Sequence, residues 1–224
     1  MIRAVIFDMY ETLITHYDCP LYFSAQMAED AGIPEERFQG IWRGTNDERT
    51  IGKITFEEVI EKILKESGRY SEKLLKEIVR KRVETKKECF RHLHPDVIPM
   101  LAKLKEMGIS VGLISNCFSE EVAPIRESEL AVYFDVLCLS YEQGVQKPEK
   151  EIFQKCMENL AVKAEECIYI GDGGSHELEA ARSVGMNAVQ ATWYLKEGTF
   201  QPCGPKEGFL QLENPLDVIE LLSN

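Results

Sequence analysis

Positive charge is in short supply in this chain: 26 Lys and Arg stand against 38 Asp and Glu, a formal net charge of -12. A surface of that sign repels phosphate backbones, which argues against a nucleic-acid partner while leaving room for a locally positive pocket that takes a small anion. Paired cysteines are missing too. The seven cysteines (Cys19, Cys89, Cys117, Cys138, Cys156, Cys167, Cys203) are odd in number and scattered, without a CxxC pair. That pattern argues against a disulfide framework or a zinc site and points to a reducing, cytoplasmic setting. Long apolar runs are absent. The first, Ala4 to Phe7, is bounded by Arg3 and Asp8, and nothing later reaches spanning length, so neither a signal peptide nor a membrane partner is expected. Repeats and low-complexity tracts are absent as well.

What is present suits a folded α/β protein. With 224 residues, 44% of them hydrophobic, the chain can bury a core as one large domain or one domain carrying an insertion. Short apolar runs at 2–7, 109–115, 135–140, 167–171 and 187–192 read as buried strands. Helical patterns at 95–108, 150–160 and 175–185 lie between them, the first and last closing on Gly108 and Gly185. Strands alternating with helices indicate βαβ units, hence a doubly wound parallel sheet covered on both faces. Residues 16–92 break the alternation. Thr55 to Glu58 forms a capping-box pattern opening a helix whose Val59, Ile60, Ile63 and Leu64 share a face. A second helical pattern, 71–87, carries Leu74, Leu75, Ile78, Val79 and Val83. The expected organisation is therefore a catalytic core of 1–15 and 93–224 with an inserted helical cap of 16–92, joined near THYDCP and HLHP.

In an open parallel sheet, ligands bind beyond the carboxyl ends of the strands. Asp8 follows the first strand in VIFDMYETL, with Tyr10 and Thr12 on alternate positions after it. Ser115 and Asn116 end the second strand, Lys147 lies in the loop after the third, and Asp172 and Glu177 follow the fourth. Singly, each has an ordinary alternative: Asp8 as a helix cap, Ser115 as a turn residue, Lys147 as a solvated charge. Together they suggest one site. Carboxylates sharing a crevice repel one another unless a cation neutralises them, and hard oxygen ligands favour magnesium. Asp8 could then attack an electrophile, while Lys147, Ser115 and Asn116 hold the anionic oxygens of the substrate.

These residues resemble the haloacid dehalogenase superfamily of hydrolases, and the position of the helical segment resembles its C1-cap subclass. FDMYET, LISN, the Lys-Pro of GVQKPEKEIF, and IGDGGSHELEAA are similar to the family's four motifs in order and spacing. The resemblance implies an aspartyl nucleophile at Asp8 and magnesium held by Asp8, the backbone carbonyl of Tyr10 and Asp172, with Glu177 supporting. Ser115, Lys147 and Thr12 would hold the transferring group.

The chain also departs from the pattern. Phosphatases of the family usually carry a second aspartate at position 10, as acid and then base; a phenol with a reference pKa near 10 is a poor base at neutral pH. Tyr10 resembles the 2-haloacid dehalogenase branch, and Arg43 in IWRG resembles that branch's arginine for the substrate carboxylate or halide, with Arg49 as a rival. Against this, the dehalogenases have serine where this chain has Asp172, and tyrosine where it has Phe153. A metal-free dehalogenase would gain nothing from Asp172, which repels Asp8. The expectation is a magnesium-dependent phosphatase of a small phosphorylated metabolite, working through a phosphoaspartyl intermediate. The alternatives are a 2-haloacid dehalogenase and a non-catalytic phosphoester-binding protein. His16, His92 and His94 are expected to make hinge hydrogen bonds, and His176 to start a helix.

Overall fold

A computed structural model describes residues 1–195 and 203–223. The stretch 196–202 and residue 224, both within the expected core range 93–224, lie outside the described residues. In chain order the elements are β1 (Ala4–Phe7), α1 (Ser24–Ala31), α2 (Glu35–Gly44), α3 (Asn46–Thr50), α4 (Phe56–Glu66), α5 (Glu72–Cys89), α6 (Val97–Glu106), β2 (Ser110–Ser115), α7 (Ser119–Glu127), β3 (Val136–Leu139), α8 (Ser140–Gln143), α9 (Lys150–Leu160), β4 (Cys167–Gly171), α10 (Glu177–Ser183), β5 (Asn187–Ala191), β6 (Leu210–Leu212) and α11 (Asp217–Ser223). The strands form one sheet in the order β3-β2-β1-β4-β5-β6, every pairing parallel. Chain direction across the sheet reverses between β1 and β4, which opens a crevice at their carboxyl ends.

Burial on both faces explains why these strands read as continuous apolar runs. Val5, Phe7, Val111, Leu113, Ile168 and Ile170 pack with Val97, Leu101 and Leu104 of α6 on one face. Ala4, Ile6, Ile114 and Tyr169 pack with Ile152 and Phe153 of α9 and Leu178 of α10 on the other. Alternate residues of each strand point to opposite faces, and helices close both layers. β6 was not expected. It is three residues long with Leu210 and Gln211 exposed, so it has no apolar periodicity to read.

Between β1 and β2 the chain makes six helices, α1 to α6, and no strand of the sheet; the first five fall within residues 16–92. Thr55 caps α4 by accepting from the Glu58 amide while Glu58 reaches back to the Thr55 amide. Val59, Ile60, Ile63 and Leu64 are buried against Met27, Phe38, Leu75 and Ile78 in a cluster of their own. Along α5 the buried stripe changes character. Leu75 and Ile78 face this helical cluster, whereas Arg82, Lys86 and Cys89 continue the same stripe toward the sheet. Two charged residues thus occupy positions that the helical period reserves for burial.

Candidate active site

β1 runs into the crevice. The Asp8 amide donates to the Ile170 carbonyl at 2.8 Å, extending the pairing with β4 by one residue, and the Met9 carbonyl accepts from Leu13 and Ile14 in a tight return. Glu11 sits in that return at φ 61°. The Trp193 indole donates to the Thr12 carbonyl at 2.7 Å and the Tyr194 hydroxyl to that of Leu13 at 3.1 Å, so the segment after β5 braces the loop. Asp8 is thereby held 6% exposed, with Thr12 Oγ1 donating to its Oδ2 at 3.3 Å.

Lys147 comes from the loop after α8 and meets Asp8. Its ammonium is ion-paired with both Asp8 Oδ1 and Glu177 Oε2 and lies 3.3 Å from the Tyr169 hydroxyl. Asn116 fixes that loop: its Oδ1 accepts from the Lys147 amide at 2.8 Å and its Nδ2 donates to the Lys147 carbonyl at 3.0 Å. One amide hydrogen of Asn116 remains for a ligand. Ser115 Oγ is buried at the end of β2 without a hydrogen-bond partner among the described residues. Beyond β4 the backbone turns through Gly173, Ser175 and His176, all at positive φ, before α10 starts at Glu177. Gly171 is required here, because a Cβ on it would lie 2.1 Å from Glu177 Oε1.

Ligand oxygens of Asp8, Asp172 and Glu177 all fall within 4.8 Å of one another. Both oxygens of Glu177 are already engaged, by Lys147, by Tyr169 at 2.9 Å and by the Gly173 amide at 3.2 Å. Asp172 differs: Oδ1 accepts from the Gly174 amide at 2.9 Å, while Oδ2 is buried with no partner among the described residues. Burial, reinforced by Asp8, pushes Asp172 up to about 6 and Glu177 up to about 8. Burial works against the charge on Lys147, but Asp8 and Glu177 outweigh it and hold its pKa above the usual lysine value. Three carboxylates facing one ammonium, with one buried oxygen left over, is a donor set that suits a hard divalent cation.

A cleft of about 400 Å³ opens from these groups. Tyr10, Phe23, Trp42 and Phe118 line it, as do Arg82 and Lys86. The Tyr10 ring stacks on His16 at 4.5 Å, and its hydroxyl is buried without a partner among the described residues. Burial, and next Glu121, drive the Tyr10 pKa well above that of a free phenol. His16 joins the Glu11 carboxylate at 3.1 Å to the Lys86 ammonium at 2.5 Å, a bridging position at the entry to the helical insertion. Lys86 and Arg82 pair with Glu121 and Glu120 of α7 at 2.5 and 3.1 Å, all four buried. Sequence reasoning missed this group, and missed Tyr169; the signal was there in the spacing of Ile78, Arg82, Lys86 and Cys89 along one helical face.

The structure thus brings Asp8, Tyr10, Asn116, Lys147, Asp172 and Glu177 to one cleft, with Thr12 beside Asp8. It does not bring Arg43 there. Arg43 is exposed at the end of α2 and lines a separate surface hollow with Glu35, Glu36 and Gln39. Trp42 uses the face of α2 that meets the cleft, and the next residue points about 100° away. Arg49 is buried, its guanidinium 3.5 Å from the Trp42 ring and 4.3 Å from that of Phe118.

A model of the haloacid dehalogenase-like hydrolases matches residues 2–185. A glyceraldehyde 3-phosphate phosphatase of Methanopyrus kandleri is 25% identical over 241 aligned positions, covering 99% of this chain and 97% of its own. Among solved structures, a 2-haloacid dehalogenase of Pseudomonas syringae superposes with a TM-score of 0.70 at 21% identity, covering 100% and 99% of the two chains. A HAD family enzyme of Bacteroides thetaiotaomicron, in complex with magnesium and inorganic phosphate, superposes at 0.67 with 22% identity over 89% and 96%.

Proposed function

Since the chain belongs to the haloacid dehalogenase-like hydrolases, we propose that it is a magnesium-dependent phosphatase of small phosphorylated compounds, with Asp8 as nucleophile. The observation that carries this reading is the cluster of Asp8, Asp172 and Glu177 around Lys147, with the buried Asp172 Oδ2 unpartnered. A dehalogenase has no use for that extra charge. The phosphatase named for the Methanopyrus relative supports the same choice.

Asp8 and Asp172 would hold the cation with the backbone carbonyl of Tyr10, and Glu177 would position Lys147 and the turn at Gly173. When bound, the ion offsets the negative charge of the carboxylates and of the phosphoryl oxygens. Lys147, ion-paired with Asp8, orients it; Asp8 attacks phosphorus in line, and the ester oxygen leaves. Ser115 Oγ and the remaining Asn116 amide hydrogen receive the phosphoryl oxygens as charge shifts onto them. Water then cleaves the aspartyl phosphate. We take residues 16–92 as a cap over residues 1–15 and 93–224, which limits water access and selects the leaving group through the cleft wall.

Asp8→Asn should reduce magnesium-dependent hydrolysis of p-nitrophenyl phosphate to background. Turnover retained in that variant refutes the nucleophile. A second reading rests on Tyr10, whose buried, strongly protonated phenol cannot serve as a base: a phosphoester-binding protein in which the second half-reaction is nearly stalled. Halide release from 2-chloropropionate that chelator leaves unchanged would instead favour the dehalogenase.

A further inference from the structure

We propose that Cys19 and Cys89 are a reversible disulfide site that ties together the two places where the chain crosses between the sheet and the helical insertion. Cys19 lies on the segment between β1 and α1, where the chain enters the insertion, and Cys89 is the last residue of α5, where it leaves. Their Sγ atoms are 3.1 Å apart although the residues are 70 positions apart in the chain. A disulfide needs S–S at about 2.05 Å, so roughly 1 Å of approach closes the bond. Carbonyls of His16 and Thr85, at 3.2 and 3.4 Å from the two sulfurs, hold the thiols facing each other. Cys89 is buried, but Cys19 is only half-buried and open to a small reagent. Cys138 and Cys156 have no such opening; both are fully buried, the first on β3 and the second on α9.

The chemistry is exchange with a small disulfide such as oxidised glutathione. The Cys19 thiolate attacks one glutathione sulfur and expels the other as a thiolate. Cys89 thiolate then attacks the Cys19 sulfur of the mixed disulfide and expels the second glutathione. Two protein thiols lose two electrons and two protons, and one small disulfide becomes two thiols. Burial raises both cysteine pKa values while the Lys86 ammonium opposes it, so the rate should climb from pH 7 to pH 9. Any rotation of the insertion over the sheet must bend these two segments, and a bond between them restrains that bend.

The test treats the full chain with oxidised glutathione at pH 8.5, followed by alkylation. Before alkylation the expected product is about 2 Da lighter than the untreated chain; after it, the product gives a non-reduced tryptic species joining the Cys19 and Cys89 peptides, and it reverts with dithiothreitol. Cys19→Ser and Cys89→Ser should each lose that species. Amide exchange across 16–23 should slow by about tenfold on oxidation of the unaltered protein and not in Cys19→Ser. Glutathione adducts without the linked peptide, a linked Cys138–Cys156 species alone, linkage only in urea, or unchanged exchange in the linked protein would each overturn the proposal.

Discussion

Replacing Lys86 with methionine removes the buried pair that fastens α5 to α7, together with the Lys86 contact to His16. Lys86 is 2% exposed and Glu121 3%, so neither charge has solvent to fall back on. Removing one partner of a buried pair costs about 3–5 kcal/mol, because the other charge stays desolvated and uncompensated. Arg82 Nη2 remains 3.9 Å from the same Glu121 oxygen, and Phe118 still donates its amide to Glu121 Oε2 at 2.8 Å. The loss should therefore fall near the lower end, about 3 kcal/mol. For a chain of this size that lowers Tm by about 6–12 °C, measurable by urea titration and by thermal scan followed by circular dichroism. Lys86→Met with Glu121→Gln should recover at least about 1 kcal/mol of that deficit. Burial alone would raise Glu121, but Lys86 and Arg82 outweigh it and hold the carboxyl below its usual range. A depressed acid contributes stability above its unfolded pKa that is lost as pH falls, so the gap between parent and Lys86→Met should narrow below about pH 4.5. A deficit under about 1 kcal/mol at pH 7, with no coupling in the double variant, would refute the reasoning by showing the pair to be solvated.

Tyr10→Asp should raise steady-state turnover of p-nitrophenyl phosphate by at least about tenfold and abolish any burst of nitrophenol equal to the enzyme concentration; equal rates in both proteins would count against the missing base at position 10. Ser115→Ala should lower kcat/KM by about ten- to a hundredfold while leaving Tm nearly unchanged, since the hydroxyl has no partner to lose. Gly171→Ala should cost activity through Glu177, whose Oε1 the new methyl would strike at 2.1 Å; magnesium affinity measured by calorimetry should fall with it. Asp172 and Glu177, at about 6 and about 8, bind protons more tightly folded than unfolded. Metal-free stability should therefore decline from about pH 4.5 to 8, and the Tm increment given by magnesium should be larger at pH 8 than at pH 5.5.

The architecture was legible because its signals are local. Each of the five expected strands coincides with an observed one to within two residues, and the capping box at Thr55 opens α4 where it was read. Runs such as Cys167–Gly171 are buried on both faces, so composition alone reveals them. Short or amphipathic elements left less trace. α1 offers SAQMAEDA, in which Met27 and two small alanines, Ala28 and Ala31, make the buried face, and α7 carries Pro124 in its interior. Among site residues, those at strand ends could be inferred from the rule that parallel sheets bind beyond their carboxyl edges. Arg43 could not be placed that way, since its direction depends on which face of α2 buries Phe38 and Trp42. Arg82 and Lys86 escaped for the opposite reason: long basic side chains read as solvated, and only the facing glutamates of α7 show that they are not.

Lys147 and Asp8 stand 139 positions apart, with the whole helical insertion and two further strands between them. Neither half of the chain suffices for the cleft: the first brings Asp8 from β1 without the ammonium, and the second brings Lys147, Asp172 and Glu177 from beyond β3 and β4 without Asp8. Non-local assembly of this kind is slow and yields nothing useful part-way. A nascent or nicked chain that has folded only its helical segment is chemically silent. The acquisition of hydrolytic competence is therefore a report on the completed parallel sheet, more stringent than helix content.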